Sequence, residues 1–288
     1  TASQFTREEL DTLFTQTDRL RSLARDNRHQ PLTRKTIALL FYEPSTRTRM
    51  SFGLAAKGES LEDTVRILAG YEVNAIVIRH KEAGAAQRAA RVSPVPIINA
   101  GDGGDEHPTQ ALLDLYTILR STDRNEITLA LSGDLEHSRT VRSLCRLIIR
   151  YGEPPRFRLL LVSPTEIRLA EDVRGELARA GIPFEETDRL ARALPDADVF
   201  YQTRVQRERY GHGDRGDAMH AEIERAFAVT GTNVGLMKPS AVILHPLPRL
   251  GEIATDVDTN PRAKYFDQAR NGLFIRMALL EQLLASDG

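Results

Sequence analysis

The sequence has no tryptophan, one cysteine and almost no net charge, and each shortage removes a class of explanation. A lone cysteine, Cys145, can build neither a disulfide framework nor a zinc cluster. Its setting, VRSLCRLII, is an apolar helical pattern, so it reads as a small buried hydrophobe. The seven histidines include no HExxH and no other paired metal spacing, so neither a metal nor a cofactor is expected. Thirty-nine basic residues against 40 acidic ones leave a net charge of -1, which gives no general attraction to nucleic acid or to an anionic membrane. Any anion site must therefore be local. No apolar run approaches membrane-spanning length, and no secretory leader pattern precedes the first helical segment. A reducing, cytoplasmic location is expected.

What the sequence does have is concentrated in one stretch, Phe41 to Ser51 (FYEPSTRTRMS). Upstream, TIALLF is an apolar run of strand length, and Pro44 ends it because proline cannot continue a ladder. A helix is expected to begin near Ser45. The first backbone N–H groups of a helix have no internal partner and sit at the positive end of its dipole, which suits a phosphate or carboxylate. Ser45, Thr46 and Thr48 add hydroxyls, and Arg47 and Arg49 add guanidinium forks matched to phosphate geometry. An N-cap with solvated arginines accounts for Ser45 but not for three hydroxyls and two arginines in five residues.

With 288 residues, two domains are the default. Thr6 and Glu9 have capping-box spacing ahead of a helix carrying Leu10, Leu13, Phe14, Leu20 and Leu23 on one face. Ser60, Leu61, Val65 and Leu68 mark another helix. Six further apolar runs read as strands: NAIVI, VPIIN, ITLAL, FRLLLV, DVFY and AVIL. Strands apolar throughout, alternating with helices, imply an α/β fold of two doubly wound parallel-sheet domains with helices on both faces. In such sheets ligands bind beyond the carboxyl ends of the strands, and the active site is expected in the cleft between the domains. Polar residues sit at those ends: Arg79 and His107 in the first half, and Arg139, Arg204, Gln206 and the HPLPR turn in the second. GDGGDE is not a dinucleotide fingerprint, because its third glycine position is Glu106. The polar STDRNE segment is a candidate hinge, Thr165 is expected to open a helix, GHGDRG reads as a surface loop, and Leu273, Phe274, Met277 and Leu280 mark a terminal helix.

STRTR, HPTQALLD, GDL…SRTVRSL, TRVQRER and HPLPR occur in an order that resembles the carbamoyltransferase family over essentially the whole chain, and within it the aspartate-specific catalytic chains. The resemblance implies transfer of a carbamoyl group from carbamoyl phosphate to the α-amine of L-aspartate, in pyrimidine biosynthesis. It implies that Ser45, Thr46, Arg47 and Thr48 hold the phosphate, that Arg79 reaches phosphate and carbonyl oxygen, and that His107 and Gln110 bind the carbamoyl group. Arg139, Arg204 and Gln206 would hold the carboxylates of aspartate, with the backbone at Leu247 and Pro248 completing the site. Glu43 resembles an interdomain latch toward Arg139 and Arg209. Lys57 resembles a lysine donated to the neighbouring subunit of a homotrimer, and a regulatory chain or another pyrimidine-pathway enzyme is a possible partner. The implied domains are 1–120 with 271–288 for carbamoyl phosphate, and 121–270 for aspartate. Ornithine-specific relatives carry a cysteine in an HCLP turn where this chain has HPLPR. A transferase for another amino acid such as ornithine, or an inert scaffold relative, remain the alternatives. The family also carries a strand and loop between the positions of Phe52 and Lys57 that are missing from this sequence. Losing a strand from the middle of a parallel sheet would leave neighbours unpaired, so a longer natural protein is expected.

Overall fold

The computed structural model describes residues 1–23, 32, 35–42, 60–104, 106–152, 156–205 and 214–284, with the side chains of 214–219 excepted. The chain forms two compact units, Thr1–Leu112 with Gly272–Gly288, and Leu113–Asn271.

In the first unit, α1 (Arg7–Leu23) begins at the expected capping box. The Thr6 N–H donates to the Glu9 carboxylate at 2.7 Å and the Glu9 N–H to the Thr6 hydroxyl oxygen at 3.2 Å. Its face of Leu10, Leu13, Phe14 and Leu20 is buried. Strand β1 (Ile37–Phe41), helix α2 (Leu61–Ala69), strand β2 (Ala75–His80), helix α3 (Ala85–Val92) and strand β3 (Ile97–Asp102) follow. Ser60 caps α2, accepting from the Asp63 N–H at 3.1 Å. The three strands pair in parallel in the order β1-β2-β3, and Val65, Ile76, Ile78, Ala85 and Ala89 form the layer between sheet and helices. Because β1 pairs directly with β2, and β2 with β3, no gap is left inside this sheet.

Helix α4 (Pro108–Ser121) leads into the second unit, and the division falls inside it. There, β4 (Ile127–Ser132), α5 (Arg139–Tyr151), β5 (Phe157–Val162), α6 (Glu171–Arg179), β6 (Phe184–Thr187), α7 (Leu190–Ala193), β7 (Val199–Gln202), α8 (Asp214–Phe227) and β8 (Val242–Leu244) precede α9 (Tyr265–Leu284). The sheet is parallel throughout, in the order β6-β5-β4-β7-β8. Ala130 belongs to one apolar layer with Phe200, Ile243 and Phe227, while its neighbours Leu129 and Leu131 are fully buried on the opposite face. Helices thus cover both faces of β4. Cys145 is buried in α5, and burial pushes its thiol up to about 12.

One strand is added and three expectations change. β6 is a strand with the sequence FEET, half-exposed at the sheet edge, where Glu185 pairs with Arg158. Thr165 opens a single 3-10 turn, and the α-helix begins only at Glu171. Residues 214–216 of the GHGDRG stretch are helical. Leu273 lies on the exposed side of α9, and its buried face is carried by Phe274, Ile275 and Ala278.

Candidate active site

Each sheet delivers polar residues beyond its carboxyl edge. In the first unit, Phe41 at the end of β1 is in register with Arg79 on β2, and the Tyr42 N–H donates to the Arg79 carbonyl at 2.9 Å. Arg79 donates to the Ala100 carbonyl from the end of β3 at 3.4 Å. His107 opens α4: its carbonyl accepts from the N–H groups of Gln110 and Ala111 at 3.0 and 3.1 Å, which places the buried Gln110 one turn along. His80 is buried and locally satisfied, with Nδ1 accepting from the Glu82 N–H at 3.0 Å and its ring edge-on to Tyr42.

In the second unit the candidate residues follow three neighbouring strands. Arg139 is the first residue of α5, just after β4, and its helix is capped by Ser138. Arg204 follows β7 by two residues, and His245 begins the turn after β8. The β4–β7 junction is tight. Gly133 has φ +115, and a Cβ there would lie 2.5 Å from the Thr203 carbonyl oxygen, so only glycine fits beside the residue preceding Arg204. Thr203 is held in place by its N–H and hydroxyl, which donate to the Ser132 carbonyl at 2.7 and 3.0 Å. In the same β4 turn, the fully buried Asp134 accepts from the backbone N–H of His137 at 3.0 Å and from its Nδ1 at 2.9 Å. The Asp-x-x-His spacing was its only trace in the sequence.

The turn from His245 to Arg249 is anchored at both ends. His245 is buried, and its Nδ1 accepts the Leu247 N–H at 2.8 Å, which fixes the ring hydrogen on Nε2, donating to Glu252 at 2.8 Å. Glu252 also accepts from the N–H groups of Leu250 and Gly251, both at 2.9 Å. Burial raises this carboxyl, but the hydrogen bonds from His245 and the backbone outweigh burial and hold it at about 2. The His245 N–H donates to Gln268 at 2.8 Å, and Gln268 donates in turn to the fully buried Asp114 at 2.6 Å. The other Asp114 oxygen accepts the Tyr201 hydroxyl at 2.7 Å. Burial, with Asp114 beside it, raises that phenol well above its ordinary range. Arg249 closes the turn by donating to Asp258 and to the Tyr265 hydroxyl, the latter at 3.0 Å. Every N–H from His245 to Pro248 is accounted for, since both prolines lack one. Between His245 and Pro248 the backbone can therefore offer a ligand only carbonyl oxygens.

Glu43, Ser45, Thr46, Arg47, Thr48, Lys57, Gln206 and Arg209 lie outside the described residues. Among the described residues, no group of three or more histidine, cysteine or acidic side chains could hold a metal ion, and no helix is long and apolar enough to cross a membrane.

Two family models cover nearly the whole sequence. The aspartate/ornithine carbamoyltransferase Asp/Orn binding domain matches residues 125–283, and the carbamoyl-P binding domain matches 1–58 and 53–120. The chain belongs to the aspartate/ornithine carbamoyltransferase family. Among relatives, the chloroplastic aspartate carbamoyltransferase of Arabidopsis thaliana is 43% identical over 303 residues, covering 98% of this chain and 76% of that protein. The aspartate carbamoyltransferase catalytic subunit of Methanothrix thermoacetophila is 41% identical, covering 97% and 95%. Among solved structures, aspartate transcarbamoylase from Trypanosoma cruzi, in complex with carbamoyl phosphate and aspartate, superposes with a TM-score of 0.88 at 33% identity, covering 99% and 95%. The same enzyme has been solved with N-(phosphonacetyl)-L-aspartic acid. The two stretches matching the carbamoyl-P domain overlap at residues 53–58.

Proposed function

We propose that the protein transfers the carbamoyl group of carbamoyl phosphate to the α-amine of L-aspartate, giving N-carbamoyl-L-aspartate and phosphate for pyrimidine biosynthesis. The observation that carries this is the placement of Arg139, Arg204 and the His245 turn after β4, β7 and β8, three adjacent parallel strands. Two guanidinium groups suit a dicarboxylic amino acid, because each can take one carboxylate in a bidentate pair. Gln206 would assist them. Ornithine would bring a second ammonium toward the same cations. The only cysteine lies buried in α5 rather than in the turn.

The phosphate is held by Ser45, Thr46, Arg47 and Thr48, with Arg79 shared between phosphate and carbonyl oxygen. His107 and Gln110 bind the carbamoyl group. Attack by the neutral α-amine forms the N–C bond and places negative charge on the carbonyl oxygen, which Arg79, Thr48 and His107 stabilise as donors. One such donor is worth about 2.7 to 4 kcal/mol in the transition state. Collapse breaks the C–O bond to phosphate, and the leaving phosphate takes the amine proton. Carbonyl oxygens at Leu247 and Pro248 receive the N–H groups of substrate, a role that suits a stretch whose only N–H, that of Leu247, is taken by His245. Glu43, engaging Arg139 and Arg209, latches the closed form. The assembly is a homotrimer in which Lys57 reaches the neighbouring subunit's site, with a regulatory chain or another pyrimidine-pathway enzyme as a candidate partner, and its location is cytoplasmic.

A bisubstrate analogue joining a phosphonate to aspartate tests this reading. It should bind at least about a hundredfold more tightly than either fragment, as expected when one site takes both. Affinity no greater than that of the phosphonate alone would contradict it.

A further inference from the structure

The proposed reaction uses residues at strand ends, yet a buried polar network in the second unit lies behind one of them. Three groups converge on His245: the buried Glu252 carboxylate on Nε2, the half-buried Leu247 N–H on Nδ1, and the buried Gln268 on the backbone N–H. Gln268 is itself oriented by Asp114, which the Tyr201 hydroxyl fixes from β7. A buried carboxylate with full partners defines geometry, because any rotation leaves an acceptor unsatisfied in a low-dielectric interior. Both Glu252 oxygens are used, one by His245 and the other by the N–H groups of Leu250 and Gly251. The bare stabilising role of such a network does not explain why its hub binds the N–H of Leu247, the one backbone donor between Pro246 and Pro248.

We infer that Glu252 and Asp114 are positioning residues for carbamoyl transfer: acting through His245 and Gln268, they hold the Leu247 N–H inward so that the backbone from His245 to Pro248 presents only acceptors to substrate. This rests on the reading of the turn as part of the aspartate carbamoyltransferase site. Without the relay, the Leu247 peptide could rotate and offer its N–H where the substrate's own N–H groups must be received. The defect would fall on turnover and leave phosphate binding untouched, since the residues proposed to hold phosphate belong to a different segment.

The test compares four variants of the full chain. Glu252→Gln keeps the shape, but one amide oxygen cannot accept all three hydrogen bonds. Asp114→Asn does the same at the far end of the relay. His245→Asn retains an acceptor at the position of Nδ1, whereas His245→Gln retains one only at the position of Nε2. Kinetics are normalised to folded protein, and inorganic phosphate is the binding probe. Glu252→Gln and Asp114→Asn should lose about a hundredfold in kcat, the scale of a misplacement near 1 Å, with phosphate affinity within twofold of wild type. His245→Asn should keep at least about tenfold more activity than His245→Gln, because it alone preserves the bond to Leu247. If the carboxylate variants do not fold, the His245 pair decides. Equal activity of that pair, or a loss of phosphate affinity in parallel with kcat, overturns the inference as a structural effect only. An active wild type with unimpaired variants overturns positioning alone. A wild type inactive with carbamoyl phosphate and aspartate overturns the function and this inference together.

Discussion

Replacing Gly133 by alanine should injure both the fold and the use of aspartate, and the size of the effect follows from the β4–β7 junction. At φ +115 an L-residue is strained, at a cost on the order of 1–3 kcal/mol. The new Cβ would lie 2.5 Å from the Thr203 carbonyl oxygen and 2.6 Å from its hydroxyl oxygen. Thr203 cannot retreat without breaking its two hydrogen bonds to Ser132, so overpacking adds roughly 1–3 kcal/mol. The total, about 2–6 kcal/mol, corresponds to a fall of at least about 4 °C in Tm for a unit of this size. Because Thr203 precedes Arg204, any relief moves Arg204, and the KM for aspartate should rise while phosphate affinity holds. Gly181→Ala is the control: Gly181 has φ +68 but nothing within 4 Å of the added Cβ, so it should cost only about 1 kcal/mol and leave kinetics alone. Thermal unfolding and initial rates over a range of aspartate concentrations measure both. If Gly133→Ala matches Gly181→Ala in stability and keeps the wild-type KM for aspartate, the proposed coupling between packing and site is wrong.

Arg204→Ala should weaken aspartate use far more than carbamoyl phosphate binding, by roughly the 1.5–3 kcal/mol of a charge-assisted pair; equal losses for both substrates, by calorimetry and kinetics, contradict the assignment. Glu252 has a carboxyl near 2 in the folded protein against 4.5 normally, so the stability it contributes, roughly 3 kcal/mol, is present above 4.5 and lost as pH falls toward 2. Denaturant titrations should show the gap between wild type and Glu252→Gln narrowing over that window, and a constant gap would refute it. For the shared site, inactive His107→Ala and Lys57→Ala chains, mixed equally and reassembled as trimers, should restore roughly a quarter of the sites, since three-quarters of random trimers are hybrids and each rebuilds one site in three. Hybrids that form yet stay inactive exclude a site shared through Lys57.

Apolar strands were legible because a parallel sheet covered on both faces needs unbroken apolar runs, and all seven such runs are strands. β6 was not, since an edge strand can carry FEET with its glutamates in solvent, paired to Arg158 and Arg174 rather than buried. At Thr165 a helix-start residue opened only one 3-10 turn, because helix formation resumed at Glu171. Residues proposed to carry direct chemistry stand out by type: arginines and a histidine after strands. Residues acting behind them do not. Asp114 sits in an ordinary helical pattern, and nothing local links it to Gln268, 154 positions away. Glu252 resembles any surface glutamate until His245 is placed against it.

The central claim is tested most directly by supplying carbamoyl phosphate labelled at its carbon, with L-aspartate or L-ornithine, and following product and phosphate together. Labelled N-carbamoyl-L-aspartate should form in equal amount to phosphate, with no labelled product from ornithine. Labelled citrulline from ornithine without carbamoyl-aspartate, or phosphate released with no carbamoylated amino acid, would contradict the account.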